Sequence, residues 1–147
     1  MTIKSINAKD TFTVRHPVLR PDRPIEDCCF ELDNHESSLH LGVEFNGEII
    51  AVLSALPIKC ENLPNLMSMR LRGIATLHPF QKKGLGSQLM IEIEKRLLKL
   101  KKIKLLWLNA RISAKSFYQN LGYETMGKTF NVQGIGIHQF MYKKLLE

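Results

Sequence analysis

The sequence predicts an α/β fold: a mixed, mostly antiparallel sheet with a central parallel pair of strands, flanked by helices. Three observations predict it. Asn46-Gly47 separates two β-compatible runs, 41–45 and 48–56, and Asn-Gly between such runs marks a tight hairpin because both central residues need φ > 0. A strand-like run at 67–76 precedes a long amphipathic pattern and then the continuous apolar run IKLLWL at 103–108. That β-α-β order demands a right-handed crossover and parallel pairing. Finally, the chain has 147 residues, enough for one domain, 1–147, with a real core.

The elements follow in order. Residues 1–10 carry no strong pattern, and the β-formers of TFTVRHPVL predict a first strand at 11–16, ended by Pro17. Pro21 and Pro24 exclude regular structure in RPDRP, and 25–35 fits either a short helix or a loop. The hairpin continues through 57–65 into the strand at 67–76, completing a meander. Leu85, Leu89, Ile93 and Leu97 mark one face of a helix over 85–100, with Glu92 and Arg96 paired on another side. The run 103–108 reads as a strand buried on both faces. A second helix is predicted over 113–121, with Ser113 as N-cap and Gly122 just past its end. Residues 123–125 and 137–142 read as closing strands.

Composition narrows the function classes. Hydrophobic residues make up 44% and charged residues 24%, ordinary for a soluble globular chain. No apolar run approaches the roughly 18 to 20 residues of a membrane span, and the N-terminus lacks the apolar region of a signal peptide. Cys28, Cys29 and Cys60 are an odd count without metal-ligand spacing, which predicts free thiols in the cytoplasm and no metal. The net charge of +7 suits a polyanionic partner. With no aromatic-interleaved basic stripe or helix-turn-helix signature, nucleic acid is not the expected one. Lys99, Lys101, Lys102 and Lys104 sit around a helix end, where lysines complement the helix dipole.

QKKGLG at 81–86 joins the strand to the helix. Amides of Lys83, Gly84, Leu85, Gly86 and Ser87 can converge on one concavity, glycines permit close approach of phosphate oxygens, and the helix adds its positive end. Alone, a glycine pair before a helix is also an ordinary turn. Dinucleotide and P-loop fingerprints fail here: the third glycine of G-x-G-x-x-G is Leu89, and no Gly-Lys-Ser/Thr occurs.

With its strand RLRGIATLHP and the following helix, QKKGLG resembles motif A of the GNAT superfamily of acetyl-CoA-dependent N-acetyltransferases. Downstream, AKSFYQNLGY at 114–123 is similar to that superfamily's A-x-x-F-Y-x-x-x-G-F/Y helix, and the two segments stand in the expected order. VRHPVLRP, DCCFELD and LHLGVEF also resemble small bacterial GNAT proteins of mostly unassigned substrate.

The resemblance implies an N-acetyltransferase that moves acetyl from acetyl-CoA to an unidentified primary amine of a small molecule or peptide. Backbone of Ile74, Ala75 and Thr76 would hold the pantetheine arm, and Gln81, Lys82, Lys83, Gly84, Leu85, Gly86 and Ser87 the pyrophosphate. Tyr118 matches the tyrosine near the coenzyme sulfur and would act as general acid. Many members carry Asn seven residues before that tyrosine; here Arg111 stands there, with Asn109 two residues earlier as a coenzyme contact. Members commonly place an acidic residue in the strand before the loop. This chain has none between 67 and 77 and carries Arg72 at the comparable position, so His78, His138 and Glu44 are the candidate bases. Arg70 and Arg72 fit either an acceptor site for a carboxylate-bearing amine or a solvated face, and His138 is a further candidate acceptor contact. A non-catalytic acyl-CoA-binding module is the alternative reading, and a homodimer is left open.

Overall fold

The computed structural model describes residues 1–145. Eight strands form one sheet: β1 (Thr2–Ser5), β2 (Leu39–Phe45), β3 (Glu48–Leu56), β4 (Ser68–Thr76), β5 (Leu105–Arg111), β6 (Glu124–Thr125), β7 (Phe130–Val132) and β8 (Gly136–Lys144). Their order is β1-β2-β3-β4-β5-β8-β6, with β7 also paired to β8. Only β4 and β5 run parallel. Three helices, α1 (Ala8–Leu19), α2 (Leu85–Lys99) and α3 (Lys115–Asn120), flank the sheet. None of the described helices is long and apolar enough to cross a membrane.

The hairpin at Asn46-Gly47 forms as expected, with φ of 52° and 78° at its two central residues. Leu85, Leu89, Met90, Ile93 and Leu97 of α2 pack on one sheet face, against Leu41, Val43, Leu53, Leu71 and Leu106. Val14 of α1 packs on the other face, against Val52 and Ala75. The sheet is therefore covered on both sides.

The expected strand at 11–16 is instead part of α1. The Asp10 carboxylate accepts the Asn7 N–H at 3.1 Å, satisfying a donor at the helix start. Ala8, Thr11, Val14 and Arg15 recur at helical spacing and are all buried. Tertiary burial of that face overrides the β propensity of Thr11, Phe12, Thr13 and Val14. Pro17 lies in the last turn and forgoes one intrahelical bond, to the carbonyl of Thr13, an exposed residue. The short strand β1 went unmarked in the sequence because only Ile3 of its four residues is even half-buried. Ser113 is not the N-cap of α3: a 3₁₀ turn occupies Ile112–Ala114 and the helix starts at Lys115. Gly122 does follow the helix, with φ 93°.

Beneath α1 lies a buried polar network that ties the irregular segment 25–35 to the sheet. Arg15 is 1% exposed, and its guanidinium donates to Asp33 Oδ2 at 2.6 Å and Oδ1 at 3.1 Å. It also donates to the Cys28 carbonyl at 2.8 Å and Ser54 Oγ at 2.9 Å. His40 joins through Ser54 Oγ at 2.6 Å and the Asp33 carbonyl at 2.8 Å. Phe30 is fixed there too, its N–H donating to Asp33 Oδ2 at 2.9 Å.

Candidate active site

Strands β4 and β5 pair only over Ser68–Arg70 and Leu105–Trp107. Beyond that point they diverge, leaving the β5-facing edge of β4 and the β4-facing edge of β5 without a partner strand inside the sheet. Such backbone groups need a ligand or water. The divergence has a local cause. Between Val52↔Ala75 and Ser54↔Arg72, β4 carries one residue more than β3, a bulge at Gly73-Ile74. Gly73 has φ 69°, and a Cβ there would lie 2.8 Å from Phe30 Cε2 and 3.1 Å from Arg15 Nε. A glycine inside the strand pattern RLRGIAT was the available sequence signal for this bulge.

A cavity of about 810 Å³ opens at the gap, a size typical of small-molecule sites. It brings together Arg70, Arg72, Ile74, Asn109, Arg111, Tyr118 and His138, all singled out in the sequence. It also takes in Arg20 and Arg23 of RPDRP and Phe30 of the irregular segment 25–35, which sequence reasoning missed because nothing in either segment shows which way it folds. Glu44 and His78 do not line it. Glu44 is paired with Lys4 at the far side of the sheet, and His78 is exposed on a 3₁₀ turn.

At one end the strand leads to the N-terminus of α2. The first bond of the helix runs from the Gln88 N–H to the Gly84 carbonyl at 3.1 Å. The N–H groups of Leu85, Gly86 and Ser87 precede it, and no side chain caps the helix. Gly84 supplies the left-handed entry at φ 80°, and Lys82 is left-handed too at φ 63°. Lys82 and Lys83 are exposed. The Gln81 side chain is turned back to the strand, donating to the Thr76 carbonyl at 2.9 Å. A Cβ on Gly86 would meet its neighbours only at 3.4 Å (Phe117) and 3.5 Å (Ile74), ordinary contact distances. The fold itself therefore does not require glycine at 86.

The Tyr118 ring packs edge-on against Phe117, 5.0 Å between centroids, and Tyr123, 6.1 Å. Tyr118 is 6% exposed, and its hydroxyl has no hydrogen-bond partner among the described residues. Burial pushes its pKa up to about 12, against a smaller lowering by Arg111. The phenol is thus protonated throughout the neutral range. Tyr123 anchors the end of α3 by donating to Glu94 Oε2 at 3.0 Å, and Glu94 in turn accepts Lys143 Nζ at 2.7 Å.

His138 lies on β8, directly opposite Arg111 of β5. Its Nδ1 is 2.9 Å from the Gly136 carbonyl, so neutral His138 donates from Nδ1 and keeps the Nε2 lone pair unprotonated. Its ring stacks on Phe130 at 6.0 Å.

Comparison with known proteins places the chain in a family. The family model of the acetyltransferase (GNAT) domain matches residues 25–145. This chain belongs to the GNAT acetyltransferase family. It is 37% identical over 145 residues to the Bacillus subtilis (strain 168) uncharacterized N-acetyltransferase YitI, covering 99% of this chain and 97% of that one. In fold it is similar to an aminoglycoside 6′-N-acetyltransferase solved with coenzyme A (TM-score 0.79, 12% identity, 100% and 98% of the two chains). It is also similar in fold to the Escherichia coli ribosomal-protein-S18-alanine N-acetyltransferase (TM-score 0.77, 19% identity, 98% and 93%). As a GNAT member the chain is an acyltransferase, and membership supports acyl transfer from coenzyme A.

Proposed function

We propose that this GNAT protein moves an acetyl group from acetyl-CoA to a primary amine of a small molecule or peptide, by direct attack in a ternary complex. The observation that carries the reading is the continuity of the site. The unpaired edge of β4 runs from the cavity holding Tyr118 and His138 to the uncapped N-terminus of α2. The residues present fit the coenzyme. Backbone of Ile74, Ala75 and Thr76 offers the pantetheine arm a strand edge, and the amides of Leu85, Gly86 and Ser87 offer the pyrophosphate a positive helix end. Lys82 and Lys83 add charge at the rim, and Asn109 lines the gap.

When bound, acetyl-CoA supplies an activated thioester. The chain's own groups then divide the proton work. His138 Nε2 accepts a proton from the acceptor ammonium or the attacking nitrogen, and its Nδ1–H bond to Gly136 holds the tautomer that can do so. Tyr118 holds a proton for the departing sulfur, so the overall exchange turns amine and thioester into amide and thiol. Against a thiol of ordinary pKa near 8.5, full transfer from a phenol at about 12 is uphill. Tyr118 therefore acts first by donating a hydrogen bond to the developing thiolate. Direct attack is favoured over a covalent acyl-enzyme because no cysteine lines the cavity, and burial raises the Cys28 and Cys29 thiols.

The lack of a carboxylate in β4 favours a second reading, a non-catalytic acyl-CoA-binding module. Thiol release from acetyl-CoA over a broad amine panel separates the two: release above background supports transfer, and coenzyme binding without release supports the module. Gly86→Ala locates the coenzyme in the same experiment. Because a methyl at 86 has room within the fold and alanine favours a helix over glycine by about 1 kcal/mol, the variant is expected to melt no lower than the parent. Its acetyl-CoA affinity, measured by calorimetry, is expected to fall because the methyl sits where phosphate oxygens would approach. Unchanged affinity would remove the pyrophosphate from this loop.

A further inference from the structure

The cavity is unusual in its charge. Arg20, Arg23, Arg70, Arg72 and Arg111 line it, with Asp22 as the one lining carboxylate. Arg70 and Arg72 are half-buried, and neither forms an ion pair among the described residues. Arg70 Nε is fully buried without a hydrogen-bond partner. The guanidiniums lean on rings instead: Arg70 lies 5.1 Å from the Trp107 ring centroid, and Arg72 lies 4.1 Å from that of Phe30. Desolvation lowers the pKa of both, and the neighbouring charges of Arg70, Arg20 and Arg15 help bring Arg72 to about 10. Arg15, whose guanidinium lies 3.9 Å from the centroid of the same Phe30 ring, shows the contrast: there a buried guanidinium has its own carboxylate in Asp33. Leaving two cations half-desolvated side by side is unfavourable for the free protein unless an anion arrives.

The coenzyme's pyrophosphate is poorly placed to be that anion. Met69 and Leu71 face the α2 side of the sheet, so the alternating Arg70 and Arg72 face the α1 side, opposite the α2 cradle. Both arginines share the cavity with His138 and Tyr118. We infer that the acceptor is a small amine carrying an oxyanion, carboxylate or phosphate, held by Arg70 and Arg72 while its amino group is presented to His138. The arginine fork matches either oxyanion in a bidentate manner. Polycationic acceptors are disfavoured by the same charges, whatever their own GNAT enzymes share with this fold. The inference rests on the acyl-transfer reading of the cavity.

Its test uses pairs of acceptors matched apart from the anion, together with one polycation. Thiol release from acetyl-CoA is measured with the α-amino acids, their amides, phosphoethanolamine, ethanolamine and kanamycin. Calorimetric binding of the same compounds to the coenzyme A-loaded protein is measured in parallel. An anionic amine is expected to exceed its neutral partner by about tenfold or more, the size of one charge-assisted hydrogen bond. The amino-acid and phosphoethanolamine arms tell carboxylate from phosphate. In Arg70→Gln and Arg72→Gln the ratio of anionic to neutral acceptor is expected to fall towards one. Selective binding of the anionic amine without thiol release would overturn acyl transfer, and with it the amine's role as acceptor, while leaving Arg70 and Arg72 as the oxyanion-binding pair. Equal treatment of anionic and neutral partners in both measurements, or a preference for kanamycin, would overturn the inference itself.

Discussion

Tyr118→Phe is expected to lower kcat by about 100-fold or more, within the usual span of general acid contributions, while leaving acetyl-CoA affinity unchanged. The substitution removes one oxygen and keeps the ring, so the edge-on packing against Phe117 and Tyr123 survives. Nothing in the free protein uses the hydroxyl, which has no partner among the described residues, so stability should not fall. A merely structural tyrosine would give the opposite pattern, a lower melting temperature with normal turnover. The pH dependence has a definite sign. With its pKa near 12, the phenol carries its proton at every pH up to roughly 11, so the parent should show no loss of rate from Tyr118 deprotonation below that. Unchanged turnover of the variant at neutral pH would remove Tyr118 from the chemistry.

The second large effect concerns stability. Asp33→Ala should destabilise the fold by about 3–5 kcal/mol, the cost of leaving a buried charge without its partner. Arg15 is 1% exposed and already has one unpartnered nitrogen, Nε. Loss of the carboxylate would strip two bonds from its guanidinium and orphan the Phe30 N–H. Denaturant unfolding checks this, and a loss under about 1 kcal/mol would mean the pair behaves like a surface bridge. The double variant Arg15→Met/Asp33→Leu should recover much of the loss, since apolar replacement of a buried pair is often neutral. The site should feel Asp33→Ala as well, because Phe30 supports the Arg72 guanidinium.

What could be read from the sequence divides along physical lines. The hairpin, β4, α2 and β5 were legible because each carries a local signal: Asn46-Gly47, an alternating run, a four-residue apolar repeat, a continuous apolar run. The proposed coenzyme cradle has a local signal for the same reason, since it is built from contiguous residues 81–87. The first helix was misread because its β-formers Thr11 and Val14 are held helical by burial against a sheet that lies elsewhere in the chain. The proposed acceptor half is assembled across long separations. Arg20, Phe30, Arg72 and His138 meet only through topology, and no local pattern reports that meeting. Only Gly73, a glycine within a strand, hinted at the bulge beside which β4 and β5 diverge.

Backbone amide NMR tests whether the diverging edge of β4 and the start of α2 form the coenzyme site. On titration with coenzyme A, the largest ¹⁵N–¹H shifts are expected at Ile74, Ala75, Thr76, Leu85, Gly86 and Ser87. Unmoved resonances at these residues, with shifts gathered instead around the Lys99–Lys104 surface, would contradict it.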